Sequence, residues 1–239
     1  MCHDMRLLTD GCAQMGLDLN EMQVSRFKKY ISLLLEWNHK FNLTAITDPK
    51  EIIVQHFLDS LSVLKLDRIK ENASVMDMGS GAGFPGIPVK IMIPGIRLTL
   101  VDAVQKKTLY LKEVIRQLEL EESEAIHARA EDLGRMESRR EKYDVVLSRA
   151  VAELRVLTEY CLPFARTGGY FVSHKGPAVA EEVRNAEKAI RILGGQMERV
   201  EKMQVPYSEK THILVVIKKT TKSPAKYPRA AGKPKKSPL

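Results

Sequence analysis

Cysteine is scarce in this chain of 239 residues: Cys2, Cys12 and Cys161 share no paired spacing. That excludes a disulfide framework and reads as free thiols in a reducing compartment. The six histidines fall without metal-ligand spacing, so no metal site is expected. Nowhere do eighteen or more apolar residues follow one another, and the N-terminus, Met-Cys-His-Asp-Met-Arg, carries an acid and leads into no long apolar run. A membrane span and a targeting segment are therefore not expected, and a cytoplasmic location is. No Gly-Lys-Ser or Gly-Lys-Thr follows the glycines, which rules out a P-loop, and no internal repeat is present.

What the chain does have is charge in one place. The net charge is +8, and residues 218–239 alone hold eight basic side chains (Lys218, Lys219, Lys222, Lys226, Arg229, Lys233, Lys235, Lys236) and no acid. The rest is balanced, with 30 basic and 30 acidic residues. Four prolines in the same stretch argue against a helix or a core strand, so the tail reads either as a solvated, disordered end or, the favoured reading, as an electrostatic arm that neutralises phosphates, with Tyr227 available for stacking on bases. Three parts result: a helical segment over 1–70 packed on the main domain, a main domain over 71–218, and a basic tail over 219–239. The length suits one domain of ordinary size plus an appendage, and a monomer is the default expectation.

Leu19 to Trp37 repeats apolar residues at helical spacing, and Asn20 with Gln23 forms a capping box at its start. The pattern stops after Trp37. A second helix is predicted from Pro49 through Leu64, with His56 and Asp59 three apart and so on one side. From Ala73 onward, strands predicted at 73–78, 97–102, 122–127, 143–148 and 168–174 alternate with helical stretches at 104–118 and 178–193. Short apolar runs of this kind make a parallel sheet covered on both faces. Two more strands, 197–205 and 211–218, are joined by a short polar turn and read as a closing antiparallel hairpin. The fold class is α/β: a mostly parallel, doubly wound sheet ending in an antiparallel hairpin, the arrangement of Rossmann-like class I methyltransferases.

Val75 to Pro88 reads as a buried strand breaking into a glycine-rich turn. Gly79, Gly81 and Gly83 let the main chain take positive φ and approach a ligand, and a helix from Gly86 would point free N–H groups at it. Asp77 can accept hydrogen bonds from the loop's own amides. Asp102 ends the next strand on the order of twenty residues later, placed either for ribose hydroxyls or to cap the helix that follows. The frame Asp-x-Gly-x-Gly-x-Gly favours S-adenosylmethionine over a nicotinamide or flavin, because the dinucleotide spacing is met only by a frame crowded with prolines.

In an open α/β sheet the ligand lies beyond the carboxyl ends of the strands. The residues there are the glycine loop with Phe84, Asp102, the stretch from Ala128 to Asp132, Ser148-Arg149-Ala150, and His174-Lys175-Gly176. Glu131 and Asp132 suit either a helix start or an adenine contact. Arg149, just after an apolar strand, demands an anion, for which a methionine carboxylate or an RNA phosphate would serve. Lys106 and Lys107 read as solvated lysines at a helix start.

Asn42-Leu-Thr-Ala-Ile, His56-Phe-Leu-Asp-Ser-Leu, Asp77-Met-Gly-Ser-Gly-Ala-Gly-Phe-Pro-Gly-Ile-Pro, Ser148-Arg-Ala-Val-Ala, Cys161-Leu-Pro and the terminal run from Tyr227 closely resemble the RsmG family, the bacterial 16S rRNA guanine-N7 methyltransferases also called glucose-inhibited division protein B. The resemblance spans nearly the whole chain. It implies methyl transfer from S-adenosylmethionine to one guanosine in the 530 loop of 16S rRNA, naked or within the small ribosomal subunit. It also implies cofactor contacts at Gly79, Phe84, Ala130, Glu131 and Arg149, to which strand position adds Gly81 and Asp102. Met78 stands where relatives often carry a β-branched residue. N7 of guanine has an in-plane lone pair and no proton, so alignment and water exclusion suffice and no general base is expected. The absence of an Asn-Pro-Pro-Tyr/Phe motif and of a Pro-Cys nucleophile agrees. His56, Asp59 and Lys175 are candidates for the side of the crevice that receives the target.

Overall fold

Alternation of apolar runs with helical stretches from Ser74 onward produces a seven-stranded sheet in the order β3-β2-β1-β4-β5-β7-β6. Its strands are β1 (Ser74–Met78), β2 (Arg97–Asp102), β3 (Ser123–His127), β4 (Tyr143–Arg149), β5 (Ala165–Lys175), β6 (Gly195–Met203) and β7 (His212–Lys219). The computed structural model describes residues 4–149 and 152–239, so Cys2, and Ala150 and Val151 of the Ser148-Arg-Ala-Val-Ala stretch, lie outside the described residues. β1 pairs in parallel with β2 and β4, β2 with β3, and β4 with β5. β7 runs antiparallel to both β5 and β6. The hairpin expected from the sequence is present, with its second strand inserted inside the first, so β6 forms the edge.

Period-two alternation decides what each face buries. Val75, Leu98, Leu100, Val145 and Leu147 face a cluster built with the N-terminal helices, α5 (Gly86–Met92) and α6 (Gln105–Gln117). Met76, Met78, Val101, Val146 and Phe171 face the opposite cluster, with Leu157, Cys161, Ala186 and Ile190 of α8 (Leu154–Cys161) and α9 (Val179–Ile192). The N-terminal helices thus share a core with the sheet.

After α1 (Arg6–Gln14), α2 (Glu21–Phe41) starts at the expected capping box: Asn20 accepts from the Gln23 amide and Gln23 from the Asn20 amide, both at 2.9 Å. It buries Phe27, Tyr30, Ile31 and Leu34 completely. Each such side chain contributes about 1.5–3 kcal/mol relative to exposure. The helix runs four residues past Trp37 and ends at Asn42, which takes the left-handed conformation (φ 48°).

The second predicted helix is not regular. Asp48 caps α3 (Pro49–Ile52) at the amides of Lys50 and Glu51, but Ile53–Leu58 then form a π-helical turn before α4 (Asp59–Leu61) and a 3-10 turn over Ser62–Leu66. A π turn widens the spiral and re-aims the side chains that follow it. Gln55, His56 and Asp59 lie in or next to it.

The tail corrects the expectation of a solvated arm. Lys219 belongs to β7, is wholly buried, and donates from Nζ to the carbonyls of Leu162 at 2.9 Å and Leu193 at 3.1 Å; burial pulls its pKa down to about 8. Tyr227 is buried and not available for stacking on bases. Arg140 donates to the carbonyls of Ser223, Pro224 and Tyr227, and Arg229 forks onto the buried carboxylate of Glu159 at 2.6–3.1 Å. The chain even closes a helical turn, α10 (Lys233–Lys236), with Pro234 near its start, where the missing N–H does no harm. The tail supplies no core of its own; residues some 70–90 positions upstream supply its partners. Lys222, Lys226, Lys233, Lys235 and Lys236 nevertheless stay exposed.

Candidate active site

The glycine loop after β1 is held from both sides. Gly79 and Ser80 donate to the Val101 carbonyl of β2 at 2.8 and 3.0 Å, Gly83 and Phe84 donate to Ser80 O, and Tyr30 of α2 donates its hydroxyl to Ala82 O at 2.6 Å. Gly79, Gly81 and Gly83 have φ of 75°, 58° and 98°, a region that only glycine enters freely. A Cβ on Gly83 would collide with Ile87 and with the Tyr30 hydroxyl.

Asp77 does brace the loop: its Oδ2 accepts from the Gly86 amide at 2.9 Å. The free helix-start amide expected at Gly86 is therefore spent inside the protein. Complete burial pushes the Asp77 carboxyl up to about 7. Asp102 accepts from two backbone amides. Oδ1 accepts from Val104 N at 2.8 Å, just ahead of α6, while Oδ2 accepts from Gly81 N at 2.9 Å. A carboxylate offers about four lone-pair directions, so room is left for hydroxyl donors.

Arg149 at the end of β4 finds its anion within the chain. Its guanidinium donates to Asp59 Oδ2 at 2.8 Å, to Gln55 O at 3.1 Å and to His56 Nδ1 at 3.2 Å, and lies 4.9 Å over the Phe84 ring. The expectation that an external anion is needed to justify this arginine is corrected: Asp59, ninety residues upstream, does so. The predicted side-by-side placement of His56 and Asp59 holds, and the π turn aims both at Arg149.

His56 stacks on Phe84, with ring centroids 4.6 Å apart, and its Nε2 lies 2.9 Å from Thr44 Oγ1. Nδ1 lies 3.2 Å from both the Arg149 guanidinium and the Gln55 carbonyl. Burial first, and then the Arg149 charge, lowers the His56 pKa to about 4, so the ring is neutral at physiological pH. Burial would raise the Asp59 carboxyl, but the hydrogen bond with His212 Nδ1 at 2.7 Å and the surrounding positive groups outweigh it and hold the acid ionised. His174 is buried with neither ring nitrogen hydrogen-bonded among the described residues, and burial lowers its pKa to about 4 as well. Lys175 is bound to Glu182 and to Ala152 O, each at 2.6 Å.

These residues line three adjoining hollows. The first, about 470 Å³, is walled by Gly79 to Ala82, Phe84, Asp102, Lys107, Arg149, His56 and Thr44. The second, about 200 Å³, shares Gly79 and Asp102 and continues to Ala130, Glu131 and Tyr160. The third, about 690 Å³, shares His56 and Arg149 and continues to Asp59, His174, Lys175 and His212. All seven predicted cofactor residues therefore fall along the first two hollows, and His56, Asp59 and Lys175 along the third. Sequence reasoning missed Thr44, Tyr160, His212, Gly232 and Lys235. Thr44, Gly232 and Lys235 sit in quoted family stretches, a usable signal; Tyr160 and His212 carry no local spacing that marks them.

The family model for rRNA small subunit methyltransferase G (GidB) matches residues 23–214. The ribosomal RNA small subunit methyltransferase G of Desulforamulus reducens is 51% identical over 232 residues, 97% of each chain, and that of Alkaliphilus metalliredigens 47% over 233 residues, 98% of each. Among solved structures, a SAM-dependent methyltransferase from Aquifex aeolicus superposes with a TM-score of 0.53 at 18% identity, covering 78% of this chain and 97% of that one. M. jannaschii TYW2 in complex with AdoMet gives 0.53 at 15%, covering 68% and 76%. Those two likenesses concern the fold. A β3-β2-β1-β4-β5-β7-β6 sheet carrying an Asp-Met-Gly-Ser-Gly-Ala-Gly loop at its switch point, in a chain matched over nearly its full length, belongs to the GidB family of rRNA small subunit methyltransferases, enzymes that use S-adenosylmethionine.

Proposed function

We propose that this protein transfers a methyl group from S-adenosylmethionine to N7 of a single guanosine in the 530 loop of 16S rRNA, as a monomer in the cytoplasm. The observation that supports the reading is that the hollow at the glycine loop and the hollow at Asp59, His174 and Lys175 share Arg149 and His56 as walls, which suits a donor side beside an acceptor side. Asp102 would take the ribose hydroxyls, Ala130 and Glu131 would flank the adenine, and Gly79, Gly81, Phe84 and Arg149 would surround the amino-acid end. When bound, the cofactor supplies an electrophilic methyl on a sulfonium.

The N7 lone pair would form the new bond to the methyl carbon as the carbon–sulfur bond breaks with its electron pair on sulfur, leaving a neutral thioether and a cationic guanine. No proton moves, so no general base is required. This chain's contribution is alignment and a reduced local charge. His56 and His174 are held neutral and Asp59 offsets Arg149, which lowers the positive field that the growing charge meets beside Lys107 and Lys210. The test is transfer of labelled methyl to small-subunit rRNA lacking the modification, naked and within the particle, with N7-specific strand cleavage to map the product. One cleavage in the 530 loop is expected. No incorporation into either form, with cofactor binding intact, would overturn the reading.

A further inference from the structure

The second hollow has a wall that does not come from the strand ends. Gly232 and Lys235, more than 80 residues beyond β4, line it together with Asp102 and Ala130. The wall is latched: the Gly232 amide donates to Glu131 Oε1 at 2.9 Å. The carboxylate assigned from the sequence to the cofactor is thus engaged with the tail. Tyr160 lines the same hollow, and its hydroxyl is pushed up to about 12 by burial and by the neighbouring Glu131 carboxylate.

The segment is anchored on both sides of the latch. Tyr227 and Pro228 are buried, with Pro228 against Gly134 just after α7 (Ala130–Leu133), and Arg229 is fixed to Glu159 on α8 through both its backbone amide and its guanidinium. Beyond Gly232, Pro234 is buried as well. The backbone reaches the latch only because Gly232 has φ 80°. A Cβ there would meet nothing within 4 Å, so the position asks for glycine on conformation alone.

We propose that Tyr227–Lys236 is a strap forming part of the adenine-binding wall, so that cofactor affinity depends on the C-terminal segment. This rests on the reading that the second hollow takes the adenine, the end of the cofactor that extends past the ribose acid toward β3. The strap covers the base and holds Glu131 in place, and its anchors supply the ordering in advance, which lowers the entropy cost of closing over a ligand. It also reassigns the tail's first task from reaching RNA to holding the donor.

The experiment is titration calorimetry with S-adenosylmethionine, and with 5′-methylthioadenosine as the adenine end alone, on four proteins: the full chain, a chain ending at Lys226, Gly232→Ala and Ala130→Leu. The chain ending at Lys226 should bind both ligands at least tenfold more weakly, about 1.4 kcal/mol. Gly232→Ala should lose about threefold to fivefold through backbone strain. Cleavage by trypsin after Lys226 and Lys235 in the full chain should slow severalfold when S-adenosylmethionine saturates it. Undiminished affinity in a shortened chain that keeps a cooperative melt overturns the strap. If the shortened chain does not fold, undiminished affinity in Gly232→Ala together with ligand-independent cleavage overturns it. Ala130→Leu separates the two readings: it crowds the hollow while Gly232 and Glu131 themselves are kept, so wild-type affinity in that variant removes the adenine from this hollow.

Discussion

Removing the carboxylate of Asp59 should cost far more than a salt bridge ordinarily does. The Arg149–Asp59 pair is 2.8 Å long, with side chains only 15% and 10% exposed, and the same acid also partners His212. Asp59→Ala leaves a guanidinium in a half-dry crevice with a neutral imidazole and one carbonyl for company. Breaking a buried pair by deleting one partner costs about 3–5 kcal/mol, against about 0–1 kcal/mol for an exposed pair. For a chain of this size each kcal/mol moves the melting point by about 2–4 °C, so the expected fall is about 6–20 °C. Urea unfolding followed by circular dichroism gives the free energy directly. The double variant Asp59→Leu/Arg149→Met should recover most of the loss, because replacing both charges by apolar groups is often close to neutral. The pH dependence has a definite sign: with its folded pKa depressed, Asp59 contributes stability above its unfolded value near 4 and loses it only as the pH falls through that value and below. A loss under about 1 kcal/mol for Asp59→Ala, or a double variant no better than the single one, would refute the claim that Asp59 is what keeps Arg149 in place.

Asp77 and His174 should tilt the stability curve in opposite directions. Asp77 has its pKa raised to about 7, so the folded state holds a proton that the unfolded chain releases, and stability falls as pH rises from about 4 to 7; Asp77→Asn should raise the melting point more at pH 8 than at pH 4.5. His174, lowered to about 4, resists protonation that the unfolded chain accepts, so stability falls as pH drops from about 6.5 to 4; His174→Met should gain more at pH 4.5 than at pH 8. Equal gains at both pH values would show that these groups do not titrate as their burial demands. Gly83→Ala should cost about 2–4 kcal/mol and weaken S-adenosylmethionine binding, since it combines φ 98° with a collision against Tyr30 and Ile87. A wild-type melt and wild-type affinity would dismiss the loop-geometry account.

Several features were written locally. The strand and helix periods, the Asn20 capping box, the glycine turn and the acid at the end of β2 each depend on residues within a few positions of one another, and local sterics and burial patterns act at that range. The family stretches likewise lie in continuous runs. What the sequence could not express is which side chain meets which across the fold. Arg149 advertises a need for an anion, but only the docking of the π turn against β4 makes Asp59 that anion and brings His212 to its other oxygen. The tail shows the same division more sharply. Its lysines and prolines are correctly read as unable to build a core, and five of its lysines do face solvent, but a segment without a core can still complete another's. Tyr227, Arg229 and Gly232 are ordered by Arg140, Glu159 and Glu131, partners contributed by distant elements and gathered only when the sheet has closed. Composition and spacing thus determined the fold class, the donor and the address of the crevice; tertiary packing decided the ion-pair partner, the order of the last two strands and the course of the C-terminus, because those depend on distances between residues far apart in the chain.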